Sequence, residues 1–185
     1  MGAEVVETSN GYPNVVRARA RARAAEIGNC VKWSVPQALA DAAYQCKNIP
    51  KDTKRVIVPT GSGLTAAGVM AGLAQIGHTA SVLAACVSNL ATADGMTTLA
   101  KTVLQTLTNE KLPKLEIVRI KMPYGKWKAA LLPDGSVLDP FYAAKAYQYV
   151  QEGDCLWLTG LRPLSALPDD CIMALDKLAS QGKLV

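Results

Sequence analysis

The chain alternates short apolar runs with longer segments in which apolar residues recur at helical spacing. The clearest run, Arg55–Pro59, is typical of a strand buried on both faces. Similar runs predict strands at Ala80–Val87, Glu116–Lys121 and Cys155–Leu158. Because strands separated by helices are joined by crossovers, we expect a three-layer α/β fold with a mostly parallel sheet and helices on both of its faces.

Helix start and stop signals lie between these runs. Asn14 is suited to cap a helix that ends before Gly28, and Pro36 is suited to open the next one. The sequence Pro-Asp-Gly at 133–135 predicts a tight hairpin. The helices predicted in this way span residues 14–27, 36–46, 64–76, 94–108, 140–150 and 169–180, with further strands at 4–7 and 30–33.

Composition narrows the classes of protein that this chain can represent. Of its 185 residues, 50% are hydrophobic and 19% are charged, which excludes a disordered chain. No apolar stretch is long enough to span a membrane, and the acidic start lacks a secretory signal, so we expect a cytoplasmic protein with no membrane partner. Five dispersed cysteines and a single histidine, His78, favour neither a metal site nor a catalytic triad.

The segment that follows the apolar run carries the strongest chemical signal. After Val56–Pro59 come Thr60-Gly61-Ser62-Gly63-Leu64-Thr65 and then small residues up to Gly68. This pattern predicts a tight turn from a buried strand into a helix, with backbone N–H groups and a helix N-terminus directed at one point. Such a turn suits a phosphate, although it matches neither G-x-x-x-x-G-K-[ST] nor G-x-G-x-x-G.

A second feature is the basic segment of the first predicted helix. Four arginines alternate with alanines at Arg17, Arg19, Arg21 and Arg23, and the net charge of the chain is +5. A helix places them on two neighbouring faces, which makes nucleic acid a candidate partner. A solvated helix face is the alternative, and the absence of interleaved aromatic residues favours it.

Three segments in register resemble a known family, the fold-type II pyridoxal-phosphate enzymes. The 60–69 segment is similar to their phosphate loop, S-G-S-G-G-T-x-A-G-L. Asp134–Ala146 is similar to E-G-[IM]-x-x-D-P-V-Y-x-G-K-[AS] of the aminocyclopropane-carboxylate deaminase and D-cysteine desulfhydrase branch. Gly153–Gly160 resembles the last strand and turn of that branch. The resemblance is good over 55–164 and weaker upstream.

The resemblance implies pyridoxal phosphate as the cofactor, which would be held non-covalently because the family's Schiff-base lysine has no counterpart here. By it, the cofactor phosphate would be held by Gly61, Ser62, Gly63, Leu64 and Thr65. Thr159 or Asp134 would lie near the pyridine nitrogen, with Tyr124 and Tyr142 on the substrate side. It also implies two parts, a small-domain-like segment at 1–50 that carries the basic helix and a phosphate-binding α/β core at 51–185, together forming one compact unit.

The departures from the family pattern concern its chemistry. The Schiff-base lysine of these enzymes lies in a G-N-K-x-R-K segment that has no counterpart here, because Lys32 and Lys47 have another context and Lys145 matches a different family lysine. Leu64 replaces a loop glycine and is expected to crowd the phosphate. No catalytic residue is therefore assigned.

The sequence leaves several functions open. The first is a lysine-less, truncated relative that binds a phosphorylated small molecule, either without catalysis or as half of a split enzyme. The others are an active pyridoxal-phosphate deaminase or lyase, a phosphoribosyltransferase-like enzyme, and a nucleic-acid-associated protein. A homodimer or a complementary chain is the expected assembly.

Overall fold

A computed structural model describes residues 18–19, 22–23, 25–26, 35–104, 111–123, 125–159 and 164–181. The chain divides into two compact units, residues 1–34 and residues 35–185. In the smaller unit the described residues are helical and exposed, and the predicted strands at 4–7 and 30–33 lie outside them. The helix that begins at Val35 belongs to the larger unit, whereas the predicted division at residue 50 would place it in the other.

The larger unit contains, within its described residues, five α-helices and four strands. In chain order these are α1 Val35–Gln45, β1 Arg55–Thr60, α2 Leu64–Gln75, β2 Ser81–Cys86, α3 Ala93–Leu104, β3 Leu115–Arg119, α4 Ala143–Ala146, β4 Asp154–Leu156 and α5 Asp169–Ser180. Short 3-10 helices follow at Cys46–Asn48, Tyr147–Tyr149 and Leu164–Ala166. None of the described helices is long and apolar enough to cross a membrane.

The four strands form one parallel sheet in the order β3-β2-β1-β4. From β1 the chain moves outward through β2 to β3 and then returns to pair β4 with the other edge of β1. The strand order therefore reverses between β1 and β4. In open α/β sheets, ligands bind at the carboxyl ends of the strands where such a reversal occurs.

Proline 59 limits how far β1 and β4 pair. Trp157 N–H donates to the Ile57 carbonyl, and Val87 N–H donates to the Thr60 carbonyl. Since backbone groups alternate between neighbouring strands, Pro59 faces β4, where it has no N–H to donate. The pairing of β1 with β4 ends at Ile57 and Leu156, so the two strands separate at the carboxyl edge of the sheet.

Side chains on the two faces of the sheet enter different apolar layers. Val56, Val58 and Val82 pack with residues of α1, α2 and α3. Ile57 and Leu83 pack on the opposite face with Ala146 and the residues around it. The sheet is therefore covered on both faces, and the predicted three-layer α/β fold is confirmed.

Glycines allow α2 to approach α1 closely. A Cβ added at Gly72 would lie 2.3 Å from the Ala43 carbonyl oxygen and 2.6 Å from Cys46 Sγ. One added at Gly68 would lie 2.6 Å from Ala42 Cβ. The two helix backbones are therefore closer than any larger residue at these positions would allow.

Two predicted elements differ from the structure. The hairpin at 131–138 is a turn closed by an isolated antiparallel bridge between Leu131 and Val137, without strands. The predicted helix 140–150 is reduced to the single turn α4 and a 3-10 turn, because Asp139 Oδ1 accepts the N–H groups of Phe141 and Tyr142. That side-chain hydrogen bonding holds 139–142 in a turn and delays the helix.

The close packing of α1 on α2 predicts that Gly72→Ala destabilises the protein. Alanine favours a helix interior by about 1 kcal/mol, but its methyl would overlap backbone atoms of α1. We expect a net loss of roughly 1–2 kcal/mol in unfolding free energy, measured by chemical denaturation. Gly125→Ala is the control, since nothing lies within 4 Å of its added Cβ. Equal stability of the two variants would contradict this packing.

The buried Cys46 predicts a specific loss of stability in alkali. Burial raises the pKa of its thiol from 9.0 to about 12. Above pH 9 the unfolded thiol ionises while the folded one keeps its proton, so unfolding free energy falls as pH rises, by about 1.4 kcal/mol per pH unit for one thiol. Cys46→Ala should make this slope shallower by that amount. Parallel slopes for the two proteins would refute the shift.

Candidate functional site

The turn between β1 and α2 lies at the carboxyl edge of the sheet, beside the reversal in strand order. Gly63 has a φ of 93°, in the left-handed region that favours glycine. The first helical hydrogen bond runs from the N–H of Ala67 to the Gly63 carbonyl. The N–H groups of Leu64, Thr65 and Ala66 precede it and have no intrahelical acceptor. They form a group of donors at the positive end of α2.

Neighbouring side chains pack tightly against the glycines of this turn. A Cβ added at Gly61 would lie 3.2 Å from Tyr142 Cε1 and 3.3 Å from its hydroxyl oxygen. One added at Gly63 would lie 2.8 Å from Met96 Cγ and 3.4 Å from Ala91 Cβ. The turn is therefore held between Tyr142 on one side and the start of α3 on the other.

The next helix on the same face of the sheet has a different N-terminus. In α3, Thr92 Oγ1 accepts the N–H of Gly95, and Asp94 lies in the first turn. These side chains supply the acceptor and the negative charge that a helix start favours. The N-cap of α2 is Gly63, which has no side chain to do this, and the first turn of α2 holds no acidic residue. The start of α2 therefore differs from that of α3 in having neither a side-chain cap on its N-cap residue nor an acidic residue in its first turn.

The loop after β2 is hydrogen-bonded to the turn. Ser88 Oγ donates to the Gly61 carbonyl at 2.7 Å and accepts the N–H of Leu90 at 3.3 Å. Arg119, the last residue of β3, donates to the carbonyls of Ser88 and Ala91, both at 2.7 Å. No local sequence pattern predicts a role for Ser88 or Arg119. The available signal was that Ser88 lies two residues after β2 and Arg119 ends β3, since parallel strands bring those ends to one edge.

Tyr142 is positioned by Asp139 and the turn that it forms. Asp139 is buried, and its Oδ1 accepts the N–H of Phe141 at 3.0 Å and of Tyr142 at 2.8 Å. One helical turn further on, Lys145 is fully buried and donates to the Pro123 carbonyl at 2.9 Å. Burial lowers the pKa of Lys145, and the charge of Asp139 opposes that shift. This lysine is a structural element of the segment.

The predicted phosphate-binding residues lie together in this turn. Ser62 is exposed, whereas Leu64 and Thr65 are half-buried. Leu64 packs against the core cluster of α1, α2 and α3, which gives its side chain a place other than the space in front of the turn. Thr159 is exposed, three residues beyond the last residue of β4, at the same edge of the sheet.

The remaining predicted site residues are not joined to the turn by any contact that the structure describes. Asp134 is exposed, and its Oδ1 accepts the N–H of Ser136 within its own turn, which lowers the pKa of the carboxyl. Its geometry is that of an ordinary turn residue. Tyr124 lies outside the described residues, although the adjacent Pro123 is held by Lys145.

Other candidate functional groups and cavities in the described residues do not form part of this turn. Both ring nitrogens of His78 have backbone partners, the Pro50 carbonyl and the N–H of Ala80. Among the residues that the structure describes, no cluster of histidine, cysteine and acidic side chains could hold a metal ion. A cavity of about 180 Å³ lies beside the outer edge of β4, lined by Gln45, Asn48, Ile49 and residues 155–158. It includes none of the turn residues.

Comparison with known proteins identifies a fold relationship. No protein-family model and no curated protein matches the chain. Among solved structures it is similar to one described as an ACC deaminase homologue, with a TM-score of 0.54 and 16% sequence identity. The match covers 84% of this chain and 57% of the other, so this chain spans little more than half of that protein's length. At this identity the shared property is the fold.

The turn formed by Asp139 predicts that two substitutions of this residue lower the unfolding free energy by different amounts. Asp139→Asn keeps an oxygen that can accept the N–H groups of Phe141 and Tyr142, whereas Asp139→Ala leaves both without that acceptor. We expect Asp139→Ala to lower unfolding free energy by about 2–3 kcal/mol and Asp139→Asn by about half as much, because the asparagine keeps the acceptor and loses the charge beside Lys145. Denaturant titration measures both. Equal losses would assign the effect to charge rather than to the turn.

Proposed function

We propose that this chain binds a phosphorylated small molecule, with pyridoxal phosphate as the first candidate, through the turn Gly61–Thr65. The observation that carries the proposal is the start of α2, which lies where the strand order reverses and has no side-chain cap. The phosphate would accept hydrogen bonds from the N–H groups of Leu64, Thr65 and Ala66, and from the hydroxyls of Ser62 and Thr65.

Pyridoxal phosphate is the first candidate for two reasons. Three segments of the sequence resemble the fold-type II enzymes that use it, and the described solved neighbour is named as a homologue of one such enzyme. The start of α2 also suits its phosphate, since the N–H groups of Leu64, Thr65 and Ala66 have no intrahelical acceptor and Gly63 has no side chain to cap them. When bound, this cofactor supplies an electron sink for carbanion chemistry.

The residues described around the turn hold a phosphate but offer no amine for covalent attachment. Lys145 lies three residues after Tyr142, which contacts the turn, and it is fully buried and donates to the Pro123 carbonyl. An amine that bonds the cofactor must reach it and lose its proton. We therefore propose non-covalent binding, in a chain that either does not catalyse or contributes the phosphate-holding half of a split enzyme.

The alternatives have less support. A phosphoribosyltransferase-like site would carry acidic residues directly before the turn, where this chain has Val58 and Pro59, both buried in β1. For nucleic acid, Arg19 and Arg23 are exposed on a helix, but Arg23 pairs with Glu26 at 2.8 Å, which reduces the basic surface. Arg17 and Arg21 lie outside the described residues. A homodimer, or a complementary chain, remains a proposal.

The binding proposal is tested by adding a charge at the turn. Ser62→Asp places a carboxylate at the start of α2 without changing a glycine, and its charge would repel the phosphate. We expect wild type to bind inorganic phosphate and pyridoxal phosphate in calorimetric titrations, and the variant to bind both at least about tenfold more weakly. Ser180→Asp, at the carboxyl end of α5, adds the same charge outside the turn and is the control. Unchanged affinity in Ser62→Asp would contradict the proposal.

The absence of covalent attachment and catalysis needs separate measurements. With pyridoxal phosphate added, we expect borohydride reduction to leave no cofactor bonded to the denatured protein, and no ammonia to be released from aminocyclopropane carboxylate by this chain alone. Reduced cofactor that stays bonded to the denatured wild type, and is lost in one of Lys32→Ala, Lys47→Ala or Lys145→Ala, would identify a cofactor-bonding lysine, and the non-covalent proposal would then be wrong.

A further inference from the structure

The turn Gly61–Gly63 rests on the loop that follows β2, and it does so at two points. Ser88 donates its hydroxyl proton to the Gly61 carbonyl, and Ala91 lies against Gly63. Both supporting residues belong to a connection between β2 and α3. The positions of the two glycines therefore depend on where this loop is held.

Arg119 binds the same two loop residues. Its guanidinium donates to the carbonyl of Ser88 and to the carbonyl of Ala91, each at 2.7 Å. These are the residues that contact Gly61 and Gly63. A planar guanidinium presents separate N–H groups in a fixed geometry and can bridge two carbonyls, whereas a lysine ammonium is a single point of attachment.

We infer that Arg119 is a positioning residue for the anion site, which sets the backbone donors at the start of α2 through Ser88 and Ala91. The ligand in this inference rests on the proposed function. The contacts of Arg119 and Ser88 are observed in the structure and do not depend on it. In this arrangement Arg119, the last residue of β3, determines the geometry of the turn after β1, although β3 lies two strands away from β1. Arg119 need not contact the ligand to affect its binding.

We therefore expect the affinity for phosphate to depend more on the bridge, the two hydrogen bonds from Arg119 to the carbonyls of Ser88 and Ala91, than on the charge of Arg119. Arg119→Gln removes the bridge and the charge, and Arg119→Lys keeps the charge but cannot bridge both carbonyls. We expect each to weaken the binding of inorganic phosphate by about threefold to tenfold, with little change in the denaturation midpoint. Lys114→Gln removes one positive charge at the other end of β3 and should change affinity by less than about twofold.

Ser88→Ala is a second variant, which breaks the same chain of contacts at another point. It removes the hydrogen bond to Gly61 and should weaken phosphate binding by a similar factor. Combined with Arg119→Gln it should weaken binding by less than the product of the two single effects, because both act through one contact chain. Full affinity in Arg119→Lys, or strictly multiplicative effects in the double variant, would overturn the inference.

Amide NMR separates this inference from the proposed function. If wild type binds neither phosphate nor pyridoxal phosphate, the proposed function is wrong, and the inference is then decided by the ligand-free spectra. We expect Arg119→Gln to shift the amide signals of Gly61 and Gly63, and Lys114→Gln to leave them in place. Unmoved signals in Arg119→Gln would overturn the positioning role whether or not the ligand binds.

Discussion

The interior position of β1 is the constraint on which the rest of the structure depends. Its side chains are buried on both faces, and β2 and β4 pair with its two edges. Only a continuous apolar run fits such a place. Because the chain leaves β1 on one side and returns on the other, the carboxyl end of β1 lies where the two halves of the sheet diverge. Pro59 widens the divergence, since it has no N–H to extend the pairing with β4.

At its other end β1 is tied to β4 by an ion pair. The Arg55 guanidinium donates to both carboxylate oxygens of Asp154, at 3.2 and 2.7 Å, and to the Tyr149 carbonyl. A bidentate pair with a largely buried carboxylate is among the stronger polar contacts. The two strands are therefore fastened at their amino ends and open at their carboxyl ends. The edge of the sheet at which the proposed ligand would bind is thus the one where β1 and β4 are not paired.

How much of the structure could be predicted from the sequence depends on how far apart in sequence the interacting residues lie. The path from β1 through the Gly61–Gly63 turn into α2 depends on local patterns, so its limits were predicted within about one residue. The supports of that turn are long-range, because Ser88 lies 27 residues from Gly61 and Arg119 lies 31 residues from Ser88. Periodicity carries no information on such pairs. The helix expected after Pro140 was too long because an acceptor on Asp139 competes with helical hydrogen bonding.

Holding a phosphate and carrying out pyridoxal chemistry make different demands on a chain. The first needs aligned backbone donors and a helix dipole, which β1, the turn and α2 provide from one continuous segment. The second needs a reachable amine, which must come from a different element brought to the same point. Lys145 illustrates the difference, because its burial and its bond to Pro123 make it a structural support. The proposed phosphate site therefore does not depend on a lysine, since none of the contacts described around the turn involves a lysine amine.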